Sequence, residues 1–236
     1  MYKYNIYKII KILSDDQIKE INKLLDTCTR KSDWVDGNNT FEGIEGTKLN
    51  IELNNAFVLK KIRELATKTT NECKELCDFT FPKEISGCII SKTEEGGYYN
   101  THTDCADNGD FSSTIFLSDK DSYEGGELCL WINGKEEKIK LNPGYAIVYP
   151  TGIPHRVNKV TSGTRYAFIF WLKSIFKDEV ILETCRELRS IDYKGYVRLK
   201  PPDPTEQTME DAFENIDFKI ENTVNRLMRK FGNFGR

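Results

Sequence analysis

Apolar and polar residues change rhythm several times along this chain, and the changes mark its elements. Lysines alternate with apolar residues through the opening segment, MYKYNIYKIIKIL, and Ser14-x-x-Gln17 then forms a capping-box pattern. Ile18, Ile21, Leu24 and Leu25 follow at helical spacing and predict a first helix with one buried face. Asp33 to Gly46 is rich in Gly and Asn and reads as a loop. A second helix is predicted over Asn55 to Cys77, with Val58, Ile62, Leu65 and Ala66 as its buried stripe.

Beyond Phe81-Pro82 the period shortens. Short β-branched and aromatic runs separated by turn residues predict an all-β barrel or sandwich between about residues 85 and 172. The strands fall at Ser86–Ser91, Tyr98–Asp104, Phe111–Ser118, Gly126–Ile132, Lys135–Leu141, Ala146–Tyr149 and Thr164–Leu172. Asn133-Gly134, between two of them, is a strong hairpin signal, because both residues tolerate the positive φ of a type I′ turn. In the tail, Lys177 to Arg189 and Met209 to Phe231 read as helices, joined through a stiff Pro201-Pro202-Asp203-Pro204 linker. The pattern divides the chain into N-terminal helices and a strand (1–84), a β core (85–176) and a helical extension (177–236).

Composition narrows the class. In 236 residues, 34 Lys and Arg against 37 Asp and Glu leave a net charge of −3, which argues against a nucleic-acid-coating protein. No apolar run approaches the ~20 residues of a membrane span, and the N-terminus lacks the apolar core and cleavage site of a secretion signal. Seven cysteines, with no second close pair beside Cys73 and Cys77 to complete a zinc site, fit reduced thiols in a cytoplasmic protein.

Histidine is scarce, and both copies fall in the β region. His102 and Asp104 are two apart in a strand and project to the same face. His155 follows Tyr149-Pro150-Thr151-Gly152-Ile153-Pro154 at the end of another strand. Two imidazoles and one carboxylate are the donor set of a non-haem Fe(II) site that leaves positions open. Taken alone, His-x-Asp with a distant His is a weak pattern, and a structural histidine is its plain alternative. Arg165 adds weight. It starts the strand Arg165-Tyr166-Ala167-Phe168-Ile169-Phe170-Trp171, where alternation puts it on one face with Ala167, Ile169 and Trp171. A guanidinium turned into such a barrel needs a carboxylate partner, and its planar fork suits one end of a dicarboxylate.

These residues have the order and spacing of the Fe(II)/2-oxoglutarate-dependent dioxygenases. The wording between them resembles the PKHD-type hydroxylases, relatives of prolyl and lysyl hydroxylases found in bacteria and their phages. The matching phrases are Asp33-Trp34-Val35-Asp36-Gly37, Phe111 to Ser118, Tyr123 to Leu128, Lys140-Leu141-x-Pro143-Gly144, Val148-Tyr149-Pro150, His155-Arg156-Val157 and Phe170-Trp171. The resemblance runs from the first helix to about residue 190. It implies a double-stranded β-helix (jelly-roll) core with flanking helices, and His102, Asp104 and His155 as both catalytic residues and iron ligands. It also implies 2-oxoglutarate and O2 as co-substrates, ascorbate as a reductant, and Arg165 as the grip on the far carboxylate of 2-oxoglutarate. Tyr99 keeps the family's tyrosine three residues before the first histidine. Thr93 stands where relatives often carry a second, co-substrate-binding tyrosine, and can offer only a shorter reach. Asp104, present as a carboxylate, favours hydroxylation over halogenation.

The activity expected is hydroxylation of an unactivated C–H bond, in a prolyl or lysyl side chain of a protein or peptide. A free small molecule as substrate, or a non-catalytic jelly-roll metal-binding module, are the alternatives. Among other features, Gly96-Gly97 and Gly125-Gly126 read as turns rather than phosphate loops, since no Lys-Ser/Thr or helix follows them. Tyr166, Phe168 and Phe170 read as core, and Arg156 as a residue pointing away from the metal. Tyr98, Tyr99 and Trp131 are pocket candidates. The basic end at Arg226, Arg229, Lys230 and Arg236 reads as a solvated helix face, with a homodimer contact or an acidic partner as the alternatives.

Overall fold

The computed structural model describes residues 6–39, 48–190 and 220–232. In chain order the elements are β1 (Lys8–Lys11), α1 (Asp15–Asp26), β2 (Trp34–Asp36), β3 (Lys48–Leu49), β4 (Ile51–Leu53), α2 (Ala56–Glu72), α3 (Lys74–Thr80), β5 (Pro82–Thr93) and β6 (Tyr98–His102). There follow β7 (Phe111–Phe116), β8 (Tyr123–Gly125), β9 (Leu128–Ile132), β10 (Lys135–Ile139), β11 (Tyr145–Pro150), β12 (His155–Val157), β13 (Val160–Gly163), β14 (Arg165–Ser174) and α4 (Glu179–Ser190). Residues 220–231 are helical.

The strands form a seven-stranded sheet in the order β1-β11-β7-β14-β5-β4-β2 and a five-stranded sheet in the order β10-β9-β12-β6-β3, with a β13-β8 pair beside them. This is the mainly β, jelly-roll architecture that the sequence predicts. Phe116, Leu128, Leu130, Ile132, Ile139, Ile147 and Tyr149, drawn from both large sheets, pack into one buried cluster. β7 is buried at every position, as befits an inner strand covered on both faces.

Local chemistry explains the ends of the elements. Ser14 N donates to Gln17 Oε1 (2.8 Å) and Gln17 N to Ser14 Oγ (3.2 Å), the reciprocal box that starts α1. Ile18, Ile21 and Leu25 form its buried face. Asn133 and Gly134, at φ 51° and 75°, make the tight β9–β10 hairpin.

Two expectations are corrected. The helix predicted over Asn55–Cys77 is two helices. Asn55 caps the first by accepting from Val58 N, and Cys73, at φ −78° and ψ 98°, breaks the ladder before α3. The break follows Thr69-Thr70-Asn71, residues of low helix propensity. Within the predicted loop 33–46, Trp34–Asp36 is an edge strand paired with β4. It is anchored by buried Asp33, whose carboxylate accepts from Arg30 N and Asn55 Nδ2. In the tail, 220–231 is helical as expected, while the Pro-rich linker and residues 209–219 lie outside the described residues.

The chain divides into two compact units, residues 1–77 with 84–173, and 78–83 with 174–236. In the second, Arg189 reaches Asp78 (2.6 Å) and Arg186 lies 4.0 Å over the Phe79 ring. Leu182, Cys185 and Val224 are buried. The first unit carries every residue of the candidate site.

Candidate metal centre

Adjacent strands of the five-stranded sheet bring the two histidines together. His102 at the end of β6 pairs directly with His155 at the start of β12, and their ring centroids are 4.2 Å apart. Each Nδ1 lies against the carbonyl oxygen two residues upstream, Asn100 O at 2.8 Å and Ile153 O at 2.9 Å. A carbonyl can only accept, so each Nδ1 is the donor and each Nε2 is left directed inward as the candidate ligand atom. Those two Nε2 atoms each lie 3.8 Å from an Asp104 carboxylate oxygen. The three donor atoms lie within 4.8 Å of one another, and among the described residues no other such group of His, Cys, Asp or Glu occurs.

Two imidazole nitrogens and a carboxylate oxygen converging at these distances are a donor set that fits a metal ion. Burial, and then the neighbouring His155 imidazole, push the His102 pKa down to about 4, which keeps that ring neutral. Asp104 Oδ2 accepts from Ser112 Oγ (2.6 Å) and Trp171 Nε1 (2.9 Å), so Oδ1 is the oxygen left to serve a metal. These partners come from β7 and β14, facing the histidine strands from the other sheet.

The cluster opens into a cavity of about 390 Å³. Its wall includes Thr93, Tyr98, Tyr99, Thr114, Tyr149 and Arg165, and also Lys48 and Glu52. Arg165, only 2% exposed, has its guanidinium carbon 5.4 Å from the Phe116 ring centroid. Its Nε is buried with no hydrogen-bond acceptor, and so is the hydroxyl of Tyr123. Tyr123 and Arg165 both pack against Gly126, where an added Cβ would come within 3.0 Å of the ring and 3.2 Å of Arg165 Cδ. Burial pulls the Arg165 pKa below its ordinary value, opposed by the Tyr123 and Tyr149 hydroxyls. The Tyr123 hydroxyl interacts with the guanidinium, but neither it nor Arg165 Nε meets an acceptor in full hydrogen-bond geometry, and a ligand carboxylate is an acceptor of the right charge.

The other candidates divide. Thr93 is buried in the cavity wall. Tyr99 lies in the wall too, with its ring stacked on His102 at 3.7 Å; burial, and then Asp104 and Glu52, push its hydroxyl up to about 12. Arg156 turns away and pairs with Glu136 at 2.8 Å. Trp131 is corrected: it is 54% exposed on the outer face of β9, while Leu128, Leu130 and Ile132 of the same strand face inward. Sequence reasoning missed the buried Lys48–Glu52 ion pair, whose i,i+4 spacing looks like an ordinary surface pair. Its signal is the apolar setting of Leu49, Ile51 and Leu53. It also missed Ser112 and Tyr123, whose roles depend on contacts across sheets.

The chain is similar to known proteins in both sequence and fold. Residues 88–173 match the family described as the 2OG-Fe(II) oxygenase superfamily. A PKHD-type hydroxylase from Prochlorococcus marinus (strain MIT 9301) is 37% identical over 177 residues, covering 72% of this chain and 79% of that protein. One from Delftia acidovorans is 28% identical over 225 residues, covering 89% and 96%. In fold, the chain is similar to a Pseudomonas putida prolyl-4-hydroxylase, with TM-score 0.54 and 14% identity over 71% of this chain and 92% of that one. It is also similar to a Trichoplax adhaerens prolyl hydroxylase solved with a hypoxia-inducible-factor peptide fragment, with TM-score 0.51 and 18% identity over 79% and 88%. The chain belongs to the PKHD-type hydroxylases, dioxygenases that depend on Fe(II) and 2-oxoglutarate.

Proposed function

We propose that this dioxygenase hydroxylates a prolyl or lysyl side chain in a protein or peptide, with His102, Asp104 and His155 as its iron ligands. The observation that carries the reading is one cavity in which three inward-turned donors and a buried guanidinium without an acceptor for Nε occur together. The prolyl hydroxylase names of two proteins similar in fold, one solved with a peptide, support the peptide substrate.

Each side chain has a task. His102 and His155 offer Nε2, held in that tautomer by the carbonyls of Asn100 and Ile153. Asp104 offers Oδ1, with Oδ2 occupied by Ser112 and Trp171. Arg165 binds the distal carboxylate of 2-oxoglutarate, and Thr93 and Tyr99 shape the wall around it. When bound, Fe(II) with 2-oxoglutarate and O2 supplies the oxidation of an unactivated C–H bond. The protein contributes orientation and a largely apolar enclosure from Leu128, Val157, Ile169 and Trp171.

Anaerobic addition of Fe(II) and 2-oxoglutarate should produce a weak visible charge-transfer band that Arg165→Ala weakens. Succinate release in air should then rise with prolyl or lysyl peptides. Peptides of both kinds that leave succinate release unchanged, while a free amino acid stimulates it, would reject the protein substrate.

A further inference from the structure

One set of contacts leads from the cavity wall to the metal cluster and is not used by the chemistry above. The segment from β3 to β4 crosses between the two sheets: Lys48 pairs with Tyr99 of β6, and Glu52 with Ser91 of β5. Asn50 ties the crossing down by donating to Ser91 Oγ at 2.7 Å. At its two ends, Lys48 Nζ and Glu52 Oε1 are 2.7 Å apart, with side chains 1% and 4% exposed. Lys48 Nζ also lies 5.0 Å from the centroid of the Tyr99 ring, whose plane is 19° from that of the His102 ring stacked on it.

A buried ion pair is a poor device for stability, because desolvation offsets most of its attraction and an apolar pair of similar size serves a fold as well. This one lies beside the ring that stacks on a candidate metal ligand. The hydrogen bond from His102 Nδ1 to Asn100 O fixes the tautomer but leaves the ring free to tilt about that bond. A flat ring against the imidazole face removes the tilt, and a cation near the tyrosine holds it by attraction to its π face. Glu52 neutralises that cation, so no unbalanced positive charge stands beside a site meant for a dication.

We propose that Glu52, Lys48 and Tyr99 form a positioning column that fixes the plane of the His102 imidazole. None of the three is a ligand, yet the affinity and ligand field of the site depend on them. The column rests on the reading of His102, Asp104 and His155 as metal ligands.

The test uses the 236-residue chain in its apo form, titrated anaerobically with Co(II) and followed by its visible ligand-field absorption. Tyr99→Phe keeps the ring and Tyr99→Leu removes it. The double variant Lys48→Met/Glu52→Leu removes the ion pair while keeping buried volume, and urea unfolding verifies that each variant is folded. Wild type and Tyr99→Phe should bind Co(II) within about twofold of each other, with Tyr99→Leu and the double variant weaker by about 10–100-fold and shifted in spectrum. Wild-type affinity and spectrum in both Tyr99→Leu and the double variant overturn the column and leave the metal site standing. A loss in Tyr99→Phe equal to that in Tyr99→Leu also overturns it, since the hydroxyl would then be responsible. Should Tyr99→Leu fail to fold, the double variant decides alone. A wild type that binds no Co(II) overturns the metal-centre reading and the column together.

Discussion

Trp171 Nε1 donates a 2.9 Å hydrogen bond to Oδ2 of Asp104, linking the seven-stranded sheet to the carboxylate that faces both histidines. Ser112 Oγ donates to the same oxygen from the neighbouring strand. The two donors decide which carboxylate oxygen is free. Trp171→Phe and Ser112→Ala should each weaken metal binding by about tenfold. The loss should exceed either single effect when both are combined. Metal titration of the purified variants measures this, and wild-type affinity in the double variant would show that Asp104 needs no such support.

Arg165→Met should separate stability from binding. The guanidinium is buried with an unpaired Nε, so an apolar side chain of similar length relieves a desolvation cost. The apo variant is expected to melt no lower than wild type. Added 2-oxoglutarate with Mn(II) should stabilise wild type by about 2.7 kcal/mol at one hundred times its Kd. The variant should gain almost nothing beyond the effect of Mn(II) alone. Thermal unfolding with and without co-substrate distinguishes the cases.

Tyr123→Phe deletes a buried hydroxyl that interacts with Arg165 but meets no partner in full hydrogen-bond geometry, so the apo protein should lose little stability. If that hydroxyl joins Arg165 in holding the distal carboxylate, the Kd for 2-oxoglutarate should rise about tenfold, the scale of a hydrogen bond to a charged group. A 2-oxo acid without a distal carboxylate should bind both proteins alike. Equal losses for the two acids would point to a general disturbance of the pocket instead.

Gly125 and Gly134 both sit at positive φ, 68° and 75°, but in different surroundings. An added Cβ at Gly134 meets nothing within 4 Å, so Gly134→Ala should cost only the backbone term of about 1–2 kcal/mol. At Gly125 the same atom would lie 2.1 Å from the Lys159 carbonyl oxygen, and overpacking should add roughly 1–3 kcal/mol. Urea midpoints of the two variants give the order directly.

Much of the architecture was legible wherever an element was long enough for its period to show. The α1 cap, the β9–β10 hairpin and the alternation that puts Arg165 and Trp171 on one face are of this kind. β2, β3 and β4 are only two or three residues each, too short for a two-residue period to distinguish a strand from a loop. The charged pair at Lys48 and Glu52 was hidden with them. Trp131 illustrates a different limit, since one residue of register exchanges the inner and outer faces of a strand. Ser112 and Tyr123 were unreadable as site residues because their meaning lies in partners distant along the chain. The convergence of His102 with His155 is likewise a product of strand pairing, although the sequence placed His102 within a strand and His155 at the end of another.

The antiparallel seam of β1 on β11, with Lys8 opposite Val148 and Lys11 opposite Tyr145, has a practical side. β11 leads directly into the turn that delivers His155, and β1 occupies its outer row of amides and carbonyls. An uncovered row of that sort recruits strands from other molecules. Lys8–Lys11 takes that edge in its place with a strand of four residues ending in a lysine at each side, features that discourage pairing, and a trimmed version starting after Lys11 should be the form that clumps in concentrated solution.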